Sequence, residues 1–366
     1  MKINFREEMR KIFSGDPSAK VVWQPRIEHW FNMSQKRGTL PEQFQNGTVY
    51  DVYESLDASI RYPPSWAPVN NVYDSSIRYT SEETPESIVQ AWKTPLGEVR
   101  RVDCKTIDSF LTREYPLNNL DDLRVVQYIV EGTQYKADIE SYIADQEGFS
   151  GRAVPTALVP RVNLMRIFIE YCGFEEGIYF LHDCPEEIRG LVRVIDQADL
   201  RYCRELLKVP AEFINYGDNI HCDMLPPPLL KEYVMPSYHQ RNEIFHAVGK
   251  FTYSHWDGDV RTILPYARET GMDGIEAITF KPMGDATFEM VERYMGADLV
   301  LVDGICATSF LPNVSKEEFD REVRELIERL HPHLVLGISD EAPPDSEFYK
   351  LERVSEIVEE YNRADS

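Results

Sequence analysis

Acids and one histidine recur in this chain where a short apolar run gives way to a helical pattern. GKFTYSHWDGDV (249–260) ends in His255, Trp256 and Asp257 before a helical stripe begins at Val260. Asp218 closes AEFINYGD with Asn219 after it, Glu276 stands inside DGIEAITF, Asp303 is next to last in DLVLVDG, and Asp340 and Glu341 follow HLVLGIS. An imidazole among carboxylates supports two chemistries. It can hold a divalent metal such as zinc, whose ligands are neutral His and ionised Asp, Glu or Cys. It can equally form a metal-free acid/base set whose pKa values are pushed apart by their surroundings. No HExxH helix signature is present, so the metal reading rests on convergence of these positions.

Each acid also has a structural reading. Asp257 or Asp259 could cap a helix starting at 260, Asp285 is another capping candidate, and Asp303 before Gly304 could serve a turn. Glu276 lies between Ile275 and Ala277, where an unpaired carboxylate would be costly to bury. His255 and Glu276 are therefore the first functional candidates.

The elements that must position these residues alternate regularly. Strand-like runs at 211–218, 249–255, 273–280, 298–304 and 333–340 are short and nearly continuously apolar, as in a parallel sheet covered on both faces. Between them lie helical stripes. Val260, Ile263, Leu264 and Ala267 form one, Phe288, Val291 and Met295 a second, and Phe319, Val323, Leu326, Ile327 and Leu330 a third. Leu351, Val354, Val358 and Tyr361 make the last stripe. Earlier strands are expected around 20–27 and 153–160, with helices near 161–172 and 185–207. Five consecutive strand–helix units without GxGxxG or GxxxxGK[ST] favour a closed (β/α)8 TIM barrel over an open doubly wound sheet. In a barrel the strand-end residues meet at one mouth. Residues 32–150, rich in Pro, Tyr, Asn and Ser, read as an irregular N-terminal elaboration around that mouth, within a single domain spanning 1–366.

Composition narrows the partners. The chain has 366 residues, 43% hydrophobic, and a formal net charge of −23 with no basic run, which argues against nucleic acid and anionic membrane. No apolar run approaches a membrane span, and MKINFREEMRKIF lacks a signal-peptide core, so a cytoplasmic protein is expected. Six scattered cysteines without a CxxC pair read as reduced thiols, with Cys222 and Cys306 nearest the candidate site.

The stretch GDNIHCDMLPPPLLKEYVMPSYHQRNEIFHAVGKFTYSHWDGDV, with ETGMDGIEAITFKPMGD after it, resembles the uroporphyrinogen decarboxylase superfamily. WKTPLGEV (92–99), YPLNNLDDLRVVQYIVE (115–131) and GISDEAPPD (337–345) add to the likeness. The branch it resembles more is the corrinoid-linked methyltransferases. That likeness implies a (β/α)8 barrel and zinc-dependent movement of a methyl group between a small O- or N-methyl donor and a corrinoid carried by a partner protein. Coenzyme M methyltransferases of the superfamily hold zinc with a His-x-Cys pair and a later Cys. Here His255 matches the histidine, but Asp257 stands at the first cysteine and Ser339 near the last. Members that demethylate methoxylated aromatics or methylamines with Glu/His zinc sites are more similar. By that likeness His255, Glu276 and Asp257 are the metal ligands, with Asp218 and Asp340 as further candidates. Asp340, Glu341 and Asp218 would be catalytic acids, and Trp256, Trp30, Asn219 and Asp303 would line the pocket.

The alternative is porphyrinogen decarboxylation. Decarboxylases carry an arginine-rich RQAGRY-like front, because a substrate with eight carboxylates needs cations. This chain reads WQPRIEHWFNMSQKRGTLP there. A third reading, of another class, is a non-catalytic barrel that binds a ligand or a corrinoid partner. Methyl donor and oligomeric state stay open.

Overall fold

The computed structural model describes residues 3–364. Helix α1 (Phe5–Phe13) is capped by Asn4, whose side chain accepts from the Glu7 N–H. Its buried face, Phe5, Met9, Ile12 and Phe13, packs with Val22, Val154, Phe213, Tyr253, Val300, Val302 and Val335 into one apolar cluster. Those partners come from five strands of one sheet and its rim, so α1 plugs the end opposite the candidate site.

Strand β1 (Val22–Trp23), α2 (Glu28–Arg37) and α3 (Val49–Ser55) come next. The following segment holds β2 (Val69–Tyr73), β3 (Arg78–Glu83), β4 (Ser87–Thr94), β5 (Gly97–Lys105), β6 (Phe110–Glu114), α4 (Leu120–Gly132), β7 (Thr133–Ala137) and α5 (Ile139–Gly148). Then come β8 (Thr156–Val159), α6 (Asn163–Arg166), α7 (Phe174–Asp183), α8 (Pro185–Leu206), β9 (Phe213–Ile220), α9 (Pro227–Leu229) and α10 (Met235–His246). The chain closes with β10 (Phe251–Trp256), β11 (Gly274–Glu276), α11 (Phe288–Tyr294), β12 (Val300–Cys306), α12 (Lys316–Leu330), β13 (Leu334–Ser339) and α13 (Phe348–Ala364).

The principal sheet is seven-stranded in the order β1-β13-β12-β11-β10-β9-β8. Every pairing within it is parallel. Its two edges are bridged by an extended segment. Ser59 N–H donates to Trp23 O at 2.9 Å, Ile60 N–H to Arg152 O at 2.9 Å, and Val154 N–H to Ile60 O at 3.3 Å. Helices cover the sheet with the expected stripes; on α12 the five predicted residues are all buried, and Ser315 caps it with Glu318 in a capping box. Among the described residues no helix is long and apolar enough to cross a membrane.

Two expectations change. Residues 260–267 are not an α-helix but a turn followed by a 3-10 helix, Leu264–Thr270. Pro265 lacks the N–H that would continue an α-helix from 260, and Gly271 at φ +71 stops the segment. Residues 32–150 are more regular than expected. They contain a four-stranded antiparallel sheet, β3-β4-β5-β6, and a β2–β7 pair. Strand β3 is exposed along its whole length, so no apolar alternation marks it in the sequence.

Candidate active site at the sheet mouth

Residues of β8, β9 and β10 and those just after β1 and β13 line a cavity of about 280 Å³, with Arg26, Tyr62, Arg161, Asn219, His255 and Asp340 among them. His255 is 5% exposed. Its Nδ1 lies 3.2 Å from Glu276 Oε2, and its Nε2 is buried with no hydrogen-bond partner among the described residues. Asp340 Oδ1 lies 3.7 Å from Nε2.

Glu276, fully buried, is saturated. Its Oε1 accepts from Arg61 at 2.5 Å and from Tyr62 at 2.7 Å, and its Oε2 accepts from Asn215 at 2.7 Å. Arg61, itself 1% exposed, also donates to Asp303 at 2.5 and 3.1 Å and through Nε to Gln24 at 3.0 Å. Burial alone would raise the Glu276 carboxyl. Arg61, then His255, outweigh it and hold it well below the usual carboxylate range. The other acid on the same guanidinium behaves oppositely. Burial, with the charge of Glu276 adding to it, keeps Asp303 above its ordinary value despite Arg61. An ionised Glu276 can only accept, so the neutral imidazole carries its proton on Nδ1 and has its lone pair at Nε2, on the side of Asp340.

The backbone carries strain around this site. Asn219 (φ +56), Ala277 (φ +66) and Asp303 (φ +91) all take left-handed conformations, which cost about 1–3 kcal/mol each for non-glycine residues. Gly337 is required for space: a Cβ there would collide with Asp303 Oδ1 and sit 3.1 Å from Arg61 Nη2.

The predicted site residues divide. His255, Asn219 and Asp340 line the cavity, with Asn219 accepting from Arg161 at 3.2 Å and Asp340 ion-paired with Arg26. Glu341 lies 3.7 Å from Arg26. Glu276 and Asp303 are joined beneath the cavity through Arg61, so Asp303 is a buried ion-pair partner and does not serve a turn. Asp218 stands apart from them, accepting from the Val162 N–H at 2.7 Å, Tyr238 at 2.5 Å and Ser254 at 3.1 Å. Trp256 is fully buried and donates to Ser254 at 3.2 Å, and Trp30 stacks on Phe348 at 5.7 Å. Neither tryptophan lines the cavity; Tyr62 and Trp66, 4.4 Å apart, are its aromatic wall. Asp257 is not part of the lining either. Val260 and Arg261 N–H are capped by Asp285 at 2.8 and 3.0 Å, not by Asp259. Cys306 is buried, its thiol pushed up to about 12 by burial.

These residues do not fit zinc as the predicted ligand set. Among the described residues no three His, Cys, Asp or Glu side chains group at metal-binding spacing. Glu276 has four donors on it, one a guanidinium that a cation would have to displace. Glu276 orients the imidazole, in the manner of a carboxylate behind a histidine. Arg61, Tyr62 and Asn215 escaped the sequence reading. The signal available was an arginine in ASIRYPP between apolar neighbours, where burial demands an acid.

A methyltransferase from Methanosarcina mazei has a similar structure over 98% of this chain and 99% of its own, with a TM-score of 0.62 at 13% identity. A protein described as a vitamin-B12-independent methionine synthase from Listeria monocytogenes overlaps 61% of this chain and 68% of its own, with a TM-score of 0.39 at 15% identity. The first likeness shows a shared fold; the second is too distant to carry an argument. No curated protein sequence matches the chain. The model of the uroporphyrinogen decarboxylase (URO-D) family matches residues 168–361, more than half of the chain and the part that supplies His255, Glu276, Asp303 and Asp340. The chain belongs to the uroporphyrinogen decarboxylase family.

Proposed function

We propose that the protein is an enzyme that takes a methyl group from a small O- or N-methyl donor and delivers it to a corrinoid carried by a partner protein. The observation that carries this reading is His255: a lining residue of the mouth cavity, fixed at Nδ1 by an ionised carboxylate, with a buried Nε2 that has no hydrogen-bond partner among the described residues and lies on the side of Asp340. Demethylation leaves charge on the donor's oxygen or nitrogen, and that leaving group needs a proton. In our reading the protonated form of His255 supplies it from Nε2, while Glu276 holds the ring and stabilises the imidazolium. Arg26 keeps Asp340 in an ion pair beside Nε2, which casts Asp340 as a positioning carboxylate and not as the acid. Tyr62 and Trp66 would exclude water from one side of the donor. Zinc, in the form the family resemblance implies, does not suit the residues as they stand, and no step is routed through it.

We further read the Ser59–Ile60 segment as the eighth stave of a (β/α)8 barrel, supported by its hydrogen bonds to both sheet edges. Residues 1–366 would then be one domain with 32–150 as an elaboration, in a cytoplasmic enzyme. Porphyrinogen decarboxylation ranks below methyl transfer. The cavity is small for a tetrapyrrole, and Arg26, Arg61 and Arg161 are already neutralised by Asp340, Glu276 with Asp303, and Glu170.

The test is a panel of methyl ethers and methylamines offered with free cob(I)alamin, followed by the absorbance change of cobalt methylation. Transfer from one donor class that His255→Gln abolishes supports the reading. Transfer unaffected by His255→Gln would overturn it, and a non-catalytic barrel would give none with any donor.

A further inference from the structure

A second cavity, of about 490 Å³, lies between β3–β5, β7 and α4, within the size range of small-molecule sites. Five aromatic side chains, Tyr73, Tyr79, Trp92, Tyr135 and Tyr171, line it. None of them is buried, although each is large and apolar. Three form a continuous run: Tyr73 and Tyr79 are 5.3 Å apart, Tyr79 and Trp92 5.2 Å, and Trp92 Nε1 donates to Tyr73 OH at 3.1 Å. Gln90 donates to Tyr79 OH at 2.8 Å, so the rings are held in place by polar contacts at their edges. All three rings line the cavity.

The polar part of the lining favours an oxygen acceptor. Arg166 is 5% exposed; its Nη2 donates to Asp199 at 2.6 Å and to the Arg161 carbonyl at 2.9 Å, but its buried Nε–H has no acceptor among the described residues. Such a group costs free energy until something accepts from it. Arg101, also in the lining, is engaged by Asp103, the Glu170 carbonyl and Thr112. The one lining carboxylate, Glu170, is paired with Arg161 at 3.1 Å. In a chain of net charge −23 this leaves a wall with no free carboxylate to repel an anion.

We propose that this cavity binds a small planar aromatic compound bearing a carboxylate or phenolic oxygen, its ring against the Tyr73–Tyr79–Trp92 run. The inference goes beyond methyl transfer and does not rest on it. Most of the lining, Asn71 to Arg166, precedes the family-matched segment at 168–361, so the site is a feature of this chain's elaboration. Pro160 and Glu170 line both this cavity and the mouth, so an occupant here would sit directly beside the candidate active site.

The test is calorimetric titration of the full chain with 2-naphthoate. Saturable one-to-one binding is expected, weakened about tenfold or more by Trp92→Ala or Tyr79→Ala, as for loss of one stacking ring. Tyr79→Phe, which keeps the ring, and His255→Ala, which alters only the mouth, should both retain affinity. Cyclohexanecarboxylate, without a planar ring, and 2-naphthylmethylammonium, with a donor in place of the acceptor, should bind more weakly than naphthoate. Should Trp92→Ala fail to fold, the half-exposed Tyr79 carries the comparison. Absence of saturable binding, equal affinity in the alanine variants, or loss of binding in His255→Ala would overturn the proposal.

Discussion

Replacing Arg61 with methionine removes the guanidinium that is ion-paired with both Glu276 and Asp303, and leaves these fully buried acids with only the more distant charge of Arg26. Gln24 Oε1 loses its donor as well. Breaking a buried ion pair by deleting one partner typically costs about 3–5 kcal/mol, because the surviving charge stays desolvated. Two acids survive here, but the second does not double the loss, since a carboxyl left in an apolar site takes up a proton instead. The expected loss at pH 8 is therefore about 3–5 kcal/mol, a large part of an ordinary domain's stability. The pH dependence has a definite sign. In Arg61→Met both acids have folded pKa values raised above their unfolded ones, so the variant is least impaired at low pH and loses ground as pH rises. In the native chain Glu276 is depressed, and its contribution is present above about pH 4.5 and lost as pH falls towards its folded value. Urea unfolding followed by circular dichroism at pH 5 and pH 8 measures both effects. Adding Glu276→Gln and Asp303→Asn to Arg61→Met should recover much of the loss, because no buried charge then remains. A loss below about 1 kcal/mol at pH 8, the scale of an exposed pair, would refute the buried-network argument. An equal loss at both pH values would refute the linkage.

The remaining predictions concern neighbouring features. Gly337→Ala should disturb the same network from the opposite side, lowering the melting midpoint, since its Cβ collides with Asp303 Oδ1 and Gln24 O lies 2.9 Å away. Asp285→Ala should cost about 0.5–2 kcal/mol by urea unfolding, the usual range for a lost cap, while Asp259→Ala stays within about 0.5 kcal/mol. His246, hydrogen-bonded to Asp273 at 2.9 Å, has its pKa raised by that bond against partial burial. Its small, solvent-screened contribution should be complete below about pH 6.5 and disappear as pH rises through the folded value. NMR titration of the His246 ring checks the direction, and His246→Asn should abolish the pH-dependent part.

Much of the parallel sheet was legible because buried parallel strands announce themselves. The runs predicted at 298–304 and 333–340 are β12 (Val300–Cys306) and β13 (Leu334–Ser339), both buried along their whole length. The same logic found Glu276, since a carboxylate between Ile275 and Ala277 had to meet a partner. What it could not supply was the partner's identity. Arg61 reaches Glu276 across 215 residues of sequence, and no local period encodes a contact of that span. Trp256 and Trp30 were misjudged because a tryptophan at a strand end or in a helix reads equally as wall or core. Their hydrogen bonds to Ser254 and the Ser346 carbonyl show core residues with satisfied indole N–H groups. The strands of 69–137 were missed because β3 and β6 are mainly exposed and β4 and β5 are half-buried almost uniformly along their length, so none shows the alternation of a strand with one buried face.

At the centre of the site, ionised Glu276 fixes His255 with its proton on Nδ1 and its Nε2 lone pair on the side of Asp340. Long-range 1H–15N NMR on uniformly labelled protein, with His255→Gln to assign the ring, reads the tautomer directly. It requires no knowledge of the substrate. The neutral ring should appear as the Nδ1–H tautomer in the native chain and lose that preference in Glu276→Gln. A neutral ring protonated at Nε2 in the native protein would contradict the account.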